Sequence, residues 1–289
     1  MIVARNRQEL RDGLNQLRAR GPLGFVATMG YLHAGHRALM QAAATENASV
    51  VVSIFVNPLQ FNDPTDYERY PIDHERDLSI CSEEGVALVF LPEADELFPE
   101  GKPHLRMAMP ELTRYMCGEY RPGHFEGVLF IVARLFNLLL PTRAYFGLKD
   151  YQQYRVIATM AAELDMGVQV IGVETVREED GRALSSRNVR LSARGLEHAG
   201  LIFRALRIAE KAHKDGNDNP TELCEIVRDV ISSGSLNRVE YVELVDEQNL
   251  QRLDRLEPDQ AFLIAVAVFC EGVRLIDNLR IGPERPISD

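Results

Sequence analysis

Paired cysteines, surplus positive charge and a membrane-length apolar run are all missing from this chain of 289 residues. Its four cysteines, Cys81, Cys117, Cys224 and Cys270, are widely spaced and make no Cys-x-x-Cys pair. That spacing argues against a disulfide framework and predicts reduced thiols, mostly core, in a cytoplasmic protein. Lys and Arg total 32 against 43 Asp and Glu, a net charge of −11. General nucleic-acid binding usually needs a basic face, so none is expected. The apolar run Ala261–Cys270 is too short to span a bilayer and reads as a buried strand. Arg5, Arg7, Glu9 and Arg11 interrupt the N-terminus before any leader-like apolar stretch, so no signal peptide and no membrane partner are expected. Lysine is scarce too: only Lys102, Lys149, Lys211 and Lys214 occur.

Against these absences stands an ordinary globular composition, 46% hydrophobic and 26% charged, with length for one or two domains. Strand-like segments at Gly24–Ala27, Ser49–Val56, Ala87–Leu91, Ala144–Phe146 and Val168–Val173 alternate with helix-like ones. The helices are expected over Gln8–Arg20, Gly35–Asn47, Asp73–Glu84, Gly127–Leu140 and Asp150–Leu164. Such alternation predicts a parallel sheet with helices on both faces. Near Val176 the pattern changes. A charged loop, Arg177–Arg182, leads into helices near Ala193–Lys214 and Thr221–Ser232. Strands near Glu240–Val245, Phe262–Cys270 and Arg274–Asn278 follow. We therefore expect an α/β fold: a parallel-sheet domain over 1–176 and a smaller α+β domain over 177–289.

The segment Thr28-Met29-Gly30-Tyr31-Leu32-His33-Ala34-Gly35-His36 carries the strongest chemical signal. It lies between the apolar run Leu23–Ala27 and a helix-like stretch. Two histidines three residues apart at a helix start can hydrogen-bond one phosphate, where free N–H groups already favour anions. The spacing His-x-Gly-His resembles the signature of nucleotidyl transferases. A surface cap or part of a zinc site would use the same residues.

Three further clusters follow predicted strands or the domain boundary. Asn57 and Gln60, in Asn57-Pro58-Leu59-Gln60-Phe61, are amides that suit a ligand bearing hydroxyls and a carboxylate, or simply stabilise a turn. Lys149, in Phe146-Gly147-Leu148-Lys149-Asp150, could neutralise phosphate, with Asp150 capping the next helix. Leu184-Ser185-Ser186-Arg187 offers two hydroxyls and a guanidinium, as a polyphosphate clamp or a helix cap. His124, in Arg121-Pro122-Gly123-His124, reads as structural. His74, His104, His198 and His213 read as surface residues.

Taken in order, these segments resemble the pantothenate synthetase family, the pantoate–β-alanine ligases of the His-x-Gly-His nucleotidyl transferase superfamily. The match runs through Thr28–His36, Phe55–Phe61, Arg121–Val128, Phe146–Gln153, Asp180–Asn188 and Arg274–Asn278. The resemblance implies a Rossmann-like ATP- and pantoate-binding domain, a C-terminal lid domain and a cytoplasmic homodimer. It implies ATP as substrate with Mg2+, and pantoate and β-alanine joined through a pantoyl adenylate with release of AMP and pyrophosphate.

The same resemblance assigns roles. His33, His36 and Lys149 would be catalytic, with His36 at the family's proton-donor position. Met29, Gly30, Tyr31, Leu32, His33, Ala34, Gly35 and His36 would line ATP. Gly147, Leu148, Lys149 and Asp150 would form a second side of that site, Val176 would meet adenine, and Leu184, Ser185, Ser186 and Arg187 would close on the phosphates. Gln60 and Gln153 would bind pantoate, Gln60 would also meet β-alanine, and Asn57 would support them. Ala27, Tyr31, Ile72, Leu148, Arg182 and Val273 depart from the usual family residues. A transferase acting on another acceptor, or a zinc- or nucleotide-binding module using His33, His36 and His124, are the competing readings.

Overall fold

The computed structural model describes residues 1–101 and 103–283, so Lys102 and residues 284–289 lie outside the described residues. The chain divides into two compact units. One comprises Met1–Met109 and Arg121–Val176; the other comprises Pro110–Tyr120 and the chain from Arg177 onward.

In the first unit the elements run β1 (Ile2–Ala4), α1 (Arg7–Arg18), β2 (Leu23–Thr28), α2 (Ala34–Glu46), β3 (Ser49–Ile54), α3 (Pro64–Glu68), α4 (His74–Glu83), β4 (Leu88–Phe90) and α5 (Ala94–Leu97). After α6 (Cys117–Tyr120), which belongs to the second unit, come α7 (His124–Leu139), β5 (Arg143–Gly147), α8 (Tyr151–Glu163) and β6 (Gln169–Val173). The six strands form one parallel sheet in the order β1-β4-β3-β2-β5-β6. This is the expected Rossmann-like α/β architecture. All six residues of β3 are buried, which is why its sequence, Ser-Val-Val-Val-Ser-Ile, does not alternate. Val50, Val51, Val52 and Ile54 are each at most 4% exposed, and each such burial contributes about 1.5–3 kcal/mol.

The strand order reverses between β2 and β5. From β2 the chain builds outward through β3 and β4, then returns to place β5 on the other side of β2. Loops leaving the carboxyl ends of β2 and β5 therefore meet at a topological switch point, where open α/β sheets bind ligands. The His-x-Gly-His segment leaves β2, and Lys149 leaves β5.

In the second unit α9 (Ala193–Lys214) and α10 (Pro220–Ser232) accompany an antiparallel sheet, β7 (Asn237–Asp246), β8 (Phe262–Cys270) and β9 (Val273–Ile281). Phe262, Ile264, Val266, Val268 and Cys270 alternate along β8 and join a core with Ala199, Ile202, Leu206, Leu223, Val227 and Ile231. Leu263, Ala265 and Ala267, on the opposite face, are buried as well. Double-sided burial explains the unbroken apolar run. Arg177 makes two hydrogen bonds to Asp277, at 2.7 and 3.0 Å, and its guanidinium lies 3.9 Å from the centre of the Phe203 ring.

All four cysteines are free thiols, and only Cys224 is not fully buried. Burial pushes the Cys81 thiol up to about 12 and that of Cys224 to about 11. No helix among the described residues is long and apolar enough to cross a membrane. Two histidines expected at the surface are half-buried. His198 Nδ1 accepts the backbone N–H of Leu236 at 3.4 Å. The His213 ring packs edge-on to Phe262 at 5.1 Å and sits 2.9 Å from Asp218.

Candidate active site

The loop after β2 is held by one buried carboxylate. Asp77, on α4 and 0% exposed, accepts the backbone N–H of Tyr31 at 2.8 Å and of Leu32 at 2.7 Å. Tyr31 occupies left-handed backbone at φ 50°, and Gly30 precedes it at φ 84°. A Cβ on Gly30 would stand 2.9 Å from Asp77 Oδ2, so glycine serves both the turn and the close approach. Thr28 completes the brace: its hydroxyl donates to the Ser53 carbonyl at 2.8 Å and accepts the Gly30 N–H at 3.2 Å.

His33 is the N-cap of α2, with extended backbone. Its Nδ1 accepts the Gly35 N–H at 3.1 Å, and its own N–H donates to His36 Nδ1 at 3.2 Å. The two rings lie 4.1 Å apart, tilted by 47°. Capping, which stood in the sequence as an alternative to phosphate binding, is thus how the histidines are held. Because both Nδ1 atoms accept backbone hydrogens, the hydrogen-bond network assigns the proton of each neutral ring to Nε2. Burial, then Lys149, pulls the His33 pKa down to about 4, with Asp150 opposing and Arg76 reinforcing. Burial, then His33 and Lys149, pulls His36 down to about 3. Near pH 7 both rings are neutral Nε2–H donors.

Lys149 lies in a short turn between β5 and α8, 3.7 Å from Asp150. Asp150 occupies the N-cap position of α8, but its side chain makes no capping hydrogen bond. The expected helix cap is therefore absent, and the carboxylate sits beside Lys149. Leu148 packs on β6: a Cβ on Gly172 would meet its Cδ2 at 2.5 Å.

A second constellation fixes Gln60. Asn57, 1% exposed, donates to Gln60 Oε1 at 2.9 Å and to the Gly127 carbonyl at 3.1 Å. The Gln60 side-chain amide lies 3.1 Å from Met29 Sδ, tying it to the His-x-Gly-His loop. Arg121 donates to the Gln60 carbonyl at 3.0 Å and reaches His124 Nε2 at 3.2 Å. That leaves His124 Nδ1 to donate to the same carbonyl at 2.7 Å. Gly127 permits the packing, since a Cβ there would stand 2.4 Å from the Leu59 carbonyl oxygen. Gln153, on α8, is half-buried. His124 is structural, as expected, although nothing in its local sequence pointed to the carbonyl it holds. A three-histidine metal site does not form: among the described residues no three His, Cys, Asp or Glu side chains gather for a metal.

In the second unit Ser185 caps a short 3-10 turn, Ser186–Arg190, by accepting the Arg187 N–H at 3.2 Å. Leu184, Ser185, Ser186 and Arg187 are all half-buried. Arg182 donates to the Leu196 carbonyl at 2.9 Å and pairs with Asp180 at 3.1 Å, which gives that departure from the family pattern a structural role.

The chain as a whole is similar to known proteins. The family model described as pantoate-beta-alanine ligase matches residues 2–280. The pantothenate synthetase of Leptospira interrogans serogroup Icterohaemorrhagiae serovar Lai is 45% identical over 283 residues, covering 98% of this chain and 99% of that protein. The crystal structure of pantothenate synthetase from Thermus thermophilus aligns with a TM-score of 0.91 at 43% identity, covering 98% of this chain and all of that one. The pantoate-beta-alanine ligase of Francisella tularensis, solved in complex with beta-gamma ATP and beta-alanine, aligns with a TM-score of 0.80 at 34% identity, covering 96% and 97%.

Proposed function

The chain belongs to the pantoate–β-alanine ligase family and is an enzyme of that class; from that premise we propose that it works through a pantoyl adenylate. A pantoate carboxylate oxygen attacks the α-phosphorus of ATP, and the bond from that phosphorus to the bridging oxygen of pyrophosphate breaks. The β-alanine nitrogen, as the free amine, then attacks the acyl carbon. The bond from acyl carbon to AMP oxygen breaks, the nitrogen loses a proton, and pantothenate and AMP result. Activation is needed because a carboxylate is a poor electrophile and AMP is a good leaving group.

One observation carries this reading: at the switch point, two neutral histidines with Nε2–H donors feel the charge of Lys149. Such donors, fixed before substrate arrives, stabilise charge developing on a phosphate without reorganising. In this scheme His36 acts as a hydrogen-bond donor at neutral pH, because its imidazolium is not populated there. Lys149 supplies a point charge on phosphate. Met29–His36 and Gly147–Asp150 line the nucleotide, Val176 meets adenine through its backbone, and Leu184, Ser185, Ser186 and Arg187 bind phosphate. Gln60 and Gln153 hold pantoate, Gln60 also meets β-alanine, and Asn57, Arg121 and His124 keep Gln60 in position. The Francisella complex with a nucleotide and beta-alanine supports this choice of ligands.

Magnesium would enter with ATP. Such an ion is held chiefly by phosphate oxygens and water. Asp150, beside Lys149, is the carboxylate that would meet it. We further propose a cytoplasmic homodimer in which the domain after Val176 acts as a lid. The test is product analysis: pantothenate and AMP should form in equal amounts from pantoate, β-alanine and ATP. ADP in place of AMP would refute the adenylate.

A further inference from the structure

Arg76 breaks a local rule. It is the third residue of α4, after the cap Asp73, where the helix dipole disfavours a cation. Its backbone N–H serves the cap, donating to Asp73 Oδ1 at 3.1 Å. Its side chain instead lies over Tyr31, with the guanidinium carbon 5.2 Å from the ring centre, within cation–π reach. Tyr31 is in turn anchored by Asp77, the next residue along α4. One helix thus supplies both the anchor of the loop and a cation seated on it. Local conflicts of this kind concentrate at functional sites.

The charge is well placed. Arg76 from α4 and Lys149 from the β5–α8 turn both lower the His33 pKa, and Asp150 opposes them. Asp150 is already within 3.7 Å of Lys149. The histidines are half-buried, whereas Arg76 is exposed. A polyphosphate whose reacting phosphorus meets the histidines would turn its distal, more highly charged end toward solvent and Arg76. Five N–H donors in a planar fork suit such a group.

We propose that Arg76, braced on the Tyr31 ring, binds the β- and γ-phosphates of the nucleotide and the pyrophosphate they become. This rests on the adenylate reading above and adds a residue that holds the leaving group.

Calorimetric titration of the full-length enzyme with magnesium pyrophosphate, MgATP and AMP tests the assignment, with pantothenate formation by the parent measured alongside. Arg76→Ala should weaken pyrophosphate and MgATP by about tenfold, the loss of one charge-assisted contact, while AMP affinity stays unchanged. Arg76→Lys should recover part of the loss. Tyr31→Leu, which removes the brace, should weaken pyrophosphate in the same direction by less. Pyrophosphate affinity within about twofold of the parent in Arg76→Ala would overturn the proposal. So would an equal loss for AMP, which would make Arg76 a prop for the loop alone. If the parent made no pantothenate and Arg76→Ala still lost pyrophosphate affinity, the reaction would fall and the phosphate site would stand.

Discussion

The backbone N–H of His33 donates to His36 Nδ1 at 3.2 Å, so the second histidine positions the first with one ring nitrogen and keeps its proton on the other. The pair is therefore preset as two Nε2–H donors. Their pKa values, about 4 for His33 and about 3 for His36, give this arrangement a pH signature.

Both values lie below the ordinary 6.5. In the window between, the unfolded chain binds protons that the folded chain does not, so stability rises with pH there. Thermal midpoints should be level above about pH 6.5 and should fall as pH drops toward 4. In His33→Gln/His36→Gln that fall should be shallower, as a pH series of melts would show. A parent whose midpoint holds constant down to pH 4 would contradict the assigned neutrality.

Lys149→Ala should lower kcat by about 10²–10³-fold, the usual loss when one preorganised stabilising group is removed. Lys149 is half-buried at a turn rather than in a core, so the melting midpoint should barely move. Initial rates and a melt on the same sample check both.

Asp77→Ala should strand the N–H groups of Tyr31 and Leu32. Losing acceptors for two backbone donors costs about 2–4 kcal/mol, readable by urea unfolding. The KM for ATP should rise in parallel, because the loop those donors fix is the one proposed to line the nucleotide. Asp77→Asn can accept at only one of its two atoms and should fall between.

Gly127→Ala would push a methyl group to within 2.5 Å of the Leu59 carbonyl. Backbone there cannot yield cheaply, and overpacking costs about 1–3 kcal/mol. The displaced turn carries Gln60, so the KM for pantoate should rise while that for ATP holds. Steady-state kinetics with each substrate varied separates the two.

Much of this site was legible in the sequence because its signals are local. Apolar run, glycine turn, histidine pair and helix marked the β2–α2 junction, and the burial of β3 fits its almost wholly apolar sequence. What escaped depends on distance. β1 is three residues, Ile2–Ala4, and is a strand only because Leu88–Phe90 pairs with it. Asp77 is one of several acids in the first turns of α4, and its role exists only once α4 packs beside the loop after β2. His124 and Arg121 likewise needed the Gln60 carbonyl, more than sixty residues earlier, to declare what they hold. The cap expected of Asp150 is absent, and its carboxylate lies 3.7 Å from Lys149 instead.

In the proposed reaction the carboxylate of pantoate is adenylated before any amine takes part. Exchange of labelled pyrophosphate into ATP, measured without β-alanine, tests it directly. Exchange that requires pantoate, and is lost in His36→Ala, is the predicted result. No exchange from folded, ATP-binding enzyme that still makes pantothenate when β-alanine is supplied would contradict a free-standing adenylate step.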